Sequence, residues 1–224
     1  MTPRDAKAVG IAEMSLQDKD PGVRGAAALS LGAMKSKGSI PKLLALVKSD
    51  PEGAVVMAAA KSLIQLGEDK GYEVYFAVLT GQRKSGEGLV GSQEKEMSQL
   101  MHNPKQMETM AFEQGMGFVP FGGAGLQVYQ AVHDSGSKDL IAKTASIKVL
   151  AMDPDPRTGK ALVDATTDKH WLVRSAAFYA LARRDDPALL PDATLGLKDE
   201  KAEVKLTAAA AVIHLSTAPN KSAR

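Results

Sequence analysis

The residues with the most chemical potential in this chain are scattered rather than gathered. Four histidines, His102, His133, His170 and His214, stand far apart, and none forms a His-x-x-x-His or a His-Glu pair. A metal ion needs several ligands converging on one point, so these histidines predict surface or turn positions and no metal site. Cysteine is absent, which removes disulfides, thiolate catalysis and thiolate metal ligation. No Gly-x-Ser-x-Gly elbow presents a nucleophilic serine. Asp153-Pro154-Asp155-Pro156 concentrates carboxylate, but Asp followed by Pro suits a helix start and predicts a rigid interhelical turn, as does Asp185-Asp186-Pro187. The glycine-rich stretch from Gly115 to Gly125 lacks the Gly-Lys-Ser/Thr ending of a phosphate loop. It completes no Gly-x-Gly-x-x-Gly either, because position 120 is Pro and position 128 is Val. The sequence thus nominates no catalytic residue, no cofactor site and no metal ligand.

The elements that would position any site are set by a recurring pattern. An apolar, mostly β-branched residue at position 0 is followed by small residues at +3 and +4 and an aliphatic residue at +8. It reads Val23 with Ala26, Ala27 and Leu31, and Val55 with Ala58, Ala59 and Leu63. It returns as Ile141 with Thr144, Ala145 and Val149, then Val173 with Ala176, Ala177 and Leu181, then Val204 with Thr207, Ala208 and Val212. The starts lie 32, 86, 32 and 31 residues apart. A fixed period in this range is the mark of a stacked repeat array. Positions 0, +4, +8 and +11 share one helical face, so the pattern predicts a buried helix, the second of an antiparallel pair. The expected pairs are 4–16 with 21–34, 40–48 with 52–66, 124–133 with 138–152, 157–167 with 171–183, and 188–197 with 201–215. Helix 71–80 opens an irregular unit. The fold class is all-α, an α-solenoid of five regular units and one degenerate unit, forming a single domain over 1–224.

The gap of 86 residues holds two periods of 32 with 22 residues left over. Residues 82–123 are therefore expected to form one degenerate unit plus an inserted segment. Gln82–Gly91 is polar and Gly-rich, hence a loop. Within Gly115–Gly125, five glycines, a proline and two phenylalanines rule out a regular helix. This apolar stretch is either a plug over surface the irregular unit leaves bare or a binding edge presenting Phe118 and Phe121.

Bulk composition agrees with helix-on-helix packing. Aromatic residues make up 4% of the 224, and the formal net charge is +2 in a well-mixed pattern, without a basic stripe for nucleic acid. No apolar run approaches the roughly 20 residues that span a bilayer. The first residues show no signal pattern, which suits a cytoplasmic protein or an exported, periplasmic one whose signal has been removed.

The residues in these turns carry a family likeness. The chain resembles a HEAT-repeat protein of the short bacterial kind related to phycobilin-lyase-type HEAT-like repeats. HEAT units place an Asp in the turn and an Arg six residues later. Asp18 and Arg24 match, as do Asp168 and Arg174; Asp199 and Lys205 match with a conservative change. Asp50 is followed by Val56 and Gly136 by Ala142, so those two units depart. The resemblance implies a ladder of Asp–Arg pairs running through the stack. The chemistry agrees, since a guanidinium bridges carboxylates and carbonyls of successive turns.

The expected function is a non-enzymatic scaffold binding a peptide or protein on the concave helical face, on the Gly/Phe-rich loop, or both. Positions +2 and +6 are expected to face the partner: Met57, Lys61, Lys143, Ile147, Ser175, Tyr179 and Leu206. Trp171, the single tryptophan, either packs between units or offers a flat binding face. The resemblance also implies two alternatives, a phycobilin-lyase-like enzyme or chaperone and a nucleic-acid-binding HEAT-like protein. The chain has no thiol or convergent acid–base pair for the first and no basic aromatic groove for the second. HEAT-type di-iron hydroxylases carry His-Glu dipeptides, and this chain has none.

Overall fold

A computed structural model describes residues 3–82 and 138–218. The chain divides into two compact units, Met1–Met97 and Ser98–Arg224. Among the described residues there are ten α-helices, three short 3-10 turns and no strand.

The first unit contains α1 (Pro3–Ser15), α2 (Pro21–Ala33), α3 (Ile40–Ser49), α4 (Gly53–Gln65) and α5 (Lys70–Leu79). Turn chemistry sets the boundaries. Asp20 caps α2 by accepting the Gly22 N–H at 2.7 Å, and Pro21 supplies the first-turn φ that a helix needs. Asp50 closes the next turn by accepting the Glu52 N–H at 2.9 Å. α2 packs on α1 and α4, and α4 packs on α3 and α5. The core between them is Ala28, Leu31, Leu43, Ala59 and Leu63, all fully buried. Each buried leucine contributes about 1.5–3 kcal/mol of apolar transfer. Alanine and glycine at the crossings let the backbones approach. A Cβ on Gly32 would collide with Ser62 and Gln65, and one on Gly71 with the Ala60 carbonyl and Ile64.

The second unit contains α6 (Lys138–Leu150), α7 (Pro156–Ala165), α8 (Trp171–Arg184), α9 (Leu190–Leu195) and α10 (Ala202–Thr217). α8 lies between α6 and α10, with α7 beside it, and α9 lies on α10. Leu150, Leu162, Val173, Phe178, Leu181 and Val204 are buried at its centre. The expected single helix 188–197 is instead three pieces, with 3-10 turns at Pro187–Leu189 and Gly196–Lys198 flanking α9. Pro191 lacks the N–H group that a continuous helix from 188 would use. The expected helix 124–133, the insertion beyond Gln82, and the plug-or-edge stretch lie outside the described residues.

The 153–156 turn is rigid for a visible reason. Asp153 accepts the Asp155 N–H at 3.1 Å and the Thr158 hydroxyl at 2.5 Å, while Asp155 caps α7 through the Arg157 N–H at 2.8 Å. Arg184 reaches back from the end of α8 and donates to the carbonyls of Asp153 at 2.6 Å and Asp155 at 3.1 Å. Its role is to bind the preceding turn, beyond the general affinity of a cation for a helix C-terminus.

Candidate interaction surface

Among the described residues, an ion pair from the second helix of one repeat to the turn of the next recurs three times. Arg24 in α2 grips Asp50 in the next turn, Nε to Oδ2 at 2.8 Å and Nη2 to Oδ1 at 3.0 Å. Arg174 in α8 grips Asp199 in the same way, at 2.7 and 2.8 Å. Each guanidinium also donates to carbonyls of its own turn: Arg24 to Asp18 at 2.9 Å, Arg174 to Asp168 at 3.0 Å. Lys143 in α6 reaches Asp168 at 3.0 Å. The fork geometry makes the arginine pairs directional as well as strong. Hydrogen bonds from Arg174 hold the Asp199 carboxyl below the usual carboxylate range. At Asp50 and Asp168, burial pushes upward, but bonds from Arg24 and the Glu52 N–H, and from the His170 N–H and Lys143, outweigh it and the net shift is downward. Bonding to their aspartates raises Arg24 and Arg174 in turn.

Lys143 corrects the register of the third copy of the pattern. It occupies the place of Arg24 and Arg174, one residue after position 0, so position 0 in α6 is Ala142 rather than Ile141. Ala142 is buried, Ser146 takes the +4 place of the alanines, and Leu150 takes the aliphatic +8 place, both fully buried. Successive starts 142, 173 and 204 are then 31 residues apart.

With that register, helix faces separate cleanly. Positions +2, +5 and +9 turn toward the following repeat. Ser175 at +2 shares a 2.9 Å hydrogen bond with Thr207 of α10, and Ser62 donates at 2.8 Å to the carbonyl of Ala28 at +5. Two expected contact residues are therefore removed from any accessible face: Ile147, now at +5, is 0% exposed and Ser175 is 2% exposed. A helix flanked by neighbours on both sides buries more than the stripe its apolar pattern advertises, and +2 falls inside the junction. Lys143 is committed to Asp168. Met57 is half-buried, and its carbonyl accepts the Tyr75 hydroxyl at 3.2 Å. Trp171 is half-buried at the first position of α8. Leu206 is 49% exposed. Phe118 and Phe121 lie outside the described residues.

Positions +6 and +10 form the accessible ridge. In the first unit they are Leu29 and Ala33, then Lys61 and Gln65, all exposed. In the second they are Lys148 and Met152, Tyr179 and Arg183, and Ala210 and His214; all are exposed except Tyr179, which is half-buried. Each pair is four residues apart and so lies on one side of its helix. Arg183 reaches within 3.9 Å of the Met152 sulfur, and His214 stands 3.3 Å from Asp185 at the end of α8, so the ridge runs across three successive helices. Lys61 and Tyr179 are among the residues expected from sequence to face a partner. Lys148, Met152, Arg183 and His214 are not among them, though 148, 179, 210 and 152, 183, 214 each repeat at the 31-residue period.

Among the described residues no group of three or more His, Asp or Glu is placed to hold a metal, and no helix is long and apolar enough to cross a membrane. No curated protein matches the chain. A family model for HEAT repeats matches residues 4–80 and 128–213, the same two stretches that carry the helical pairs and their ladder. HEAT repeats generally mediate protein interactions, and this chain belongs to the HEAT-repeat family.

Proposed function

We propose that this protein is a non-catalytic binding module that receives an extended or helical protein segment along the +6/+10 ridge. The observation that carries this is the row Lys148–Met152, Tyr179–Arg183 and Ala210–His214, built from side chains of consecutive second helices. Methionine and tyrosine give adaptable apolar contact with few polar demands. Arg183 and Lys148 supply fixed positive charge on this row. A segment that alternates apolar and acidic side chains suits such a surface, with charge steering the encounter and the apolar contacts holding it. The Gly/Phe-rich stretch around Phe118 and Phe121 belongs to the same proposal as a second contact, on its sequence alone.

Peptide display against the purified chain tests this. Selected peptides are expected to be enriched in acidic and apolar residues, and to lose about tenfold or more in affinity against Arg183→Glu and Tyr179→Ala, with circular dichroism showing both variants folded. Peptides that bind these variants as tightly as the wild type overturn the ridge as the binding surface.

A further inference from the structure

We infer that the segment held on the ridge is a polyproline II helix with an acidic side chain at every third residue. The inference rests on the ridge reading above and deepens it, from a surface to the conformation and register of its partner. In the second unit the ridge presents one pair of side chains per repeat: Lys148 and Met152 on α6, Tyr179 and Arg183 on α8, Ala210 and His214 on α10. A chain that crosses these helices is read once per helix. The distance between helices therefore selects which of its residues are read.

That distance is short, for a reason visible in the junctions. Packed helices lie about 8–10 Å apart, according to the side chains between them. Between α8 and α10 those side chains are small. The hydroxyls of Ser175 and Thr207, each one bond beyond Cβ, meet directly at 2.9 Å. Facing α8 from α6, Ala151 at +9 is buried, and Ala176 and Ala180 of α8 are buried as well. The spacing of the ridge is thus about 9 Å per repeat, within the lower and middle part of the ordinary range.

Three backbones can be laid across it. A β-strand advances about 3.3 Å per residue, so three residues span one gap, but its side chains alternate between faces and the next contact would point away. An α-helix advances about 1.5 Å per residue and returns to the same face after seven residues, about 10.5 Å on, which overshoots helices packed on alanine and serine. A polyproline II helix advances about 3.1 Å per residue with three residues per turn, so every third side chain lies on one side at intervals of about 9.3 Å. Of the three, only this one matches the ridge in both distance and face.

Charge decides what those residues are. Lys148 and Arg183 are exposed on neighbouring helices, so carboxylates one polyproline turn apart meet both together. The contact at α10 demands less charge, because His214 already stands 3.3 Å from Asp185. Proline at the intervening positions keeps the backbone in this conformation before binding and lays its ring against Tyr179 and Met152, which need no polar partner from it.

Fluorescence anisotropy with labelled peptides tests the register. The probe is four Pro-Pro-Glu triplets. Its controls are an isomer of equal composition, with glutamates alternately two and four residues apart, and an alanine-based helical peptide with a glutamate at every seventh residue. At about 50 mM salt the triplet peptide is expected to bind about tenfold more tightly than either control, and Lys148→Glu and Arg183→Glu should each weaken it about tenfold. Circular dichroism confirms that both variants are folded. Equal binding of the isomer, or tighter binding of the helical peptide, overturns the inference; where Arg183→Glu still weakens that binding, the ridge proposal stands. A triplet peptide that does not bind, while displayed peptides lose affinity for Arg183→Glu, also overturns the register alone. Binding of the triplet peptide that neither variant weakens overturns both readings.

Discussion

Removing one rung of the ladder should cost a measurable, predictable amount. In Arg174→Met the apolar stem survives, but the two bonds to Asp199 at 2.7 and 2.8 Å and the one to the Asp168 carbonyl at 3.0 Å are lost. Exposed ion pairs contribute about 0–1 kcal/mol, and breaking a fully buried one costs about 3–5 kcal/mol. The Arg174 and Asp199 side chains are 11% and 10% exposed, which places this pair between the limits. Asp199 also keeps the Lys201 N–H, so its carboxylate is not left wholly unpartnered. The expected loss is about 2 kcal/mol, or about 4–8 °C in melting temperature for a chain of this size. Trp171, the chain's single tryptophan, stands three residues before Arg174 and reports that junction directly by fluorescence during urea unfolding. Arg174→Lys keeps the charge without the fork and should lose about half as much. Combined with Asp199→Asn, the cycle should give a coupling of about 1–2 kcal/mol. If Arg174→Met unfolds within about 0.5 kcal/mol of the wild type, or if the two substitutions simply add, the rung is decorative and the argument from fork geometry is wrong.

Three further outcomes follow from the packing and the charges. Ala177→Leu and Ala59→Leu place an isobutyl group at fully buried helix crossings and should each lose about 1–3 kcal/mol by urea titration, whereas Ala210→Leu on the ridge should be near neutral. Gly71→Ala should destabilise α5 against α4 by a similar amount, because its Cβ meets the Ala60 main-chain carbonyl, which cannot swing aside as a side chain would; faster amide exchange confined to α5 checks this. Asp50, Asp168 and Asp199 sit below their ordinary value of 3.8 when folded. Their stabilisation is therefore fully present above about pH 5 and is lost as pH falls through 3.8 and then through the lower folded values. The melting temperature should decline over that acid range, and by less in Arg174→Met.

The helices could be read from sequence because their signals are local. Asp20-Pro21 and Asp155-Pro156 mark starts, and the small-residue pattern marks the buried second helices. The register of α6 could not be read as easily. Ile141 matches position 0 by residue type, whereas Ala142 matches it by geometry, and only the position of Lys143 against Asp168 separates them. That single-residue slip put Ile147 on the surface in expectation and in the core in fact. Ser175 failed for another reason. A serine in a helix reads as exposed, and its buried partner Thr207 comes from a different repeat 32 residues away. The ridge residues Arg183 and His214 were individually unremarkable. Their significance lies in lining up with Met152, which depends on how repeats superimpose.

The ladder also has a consequence for how such a chain can grow. The repeat that holds Asp168 and Arg174 carries an aspartate directed backward, to Lys143, and a basic residue directed forward, to Asp199. A tandem copy of that repeat inserted beside it would therefore find its electrostatic demands met on both sides, without compensating changes elsewhere. Lengthening by duplication is in this sense nearly free of mismatch for the regular segments. Loss of a single carboxylate would instead create a seam where two neighbours no longer agree on their alignment.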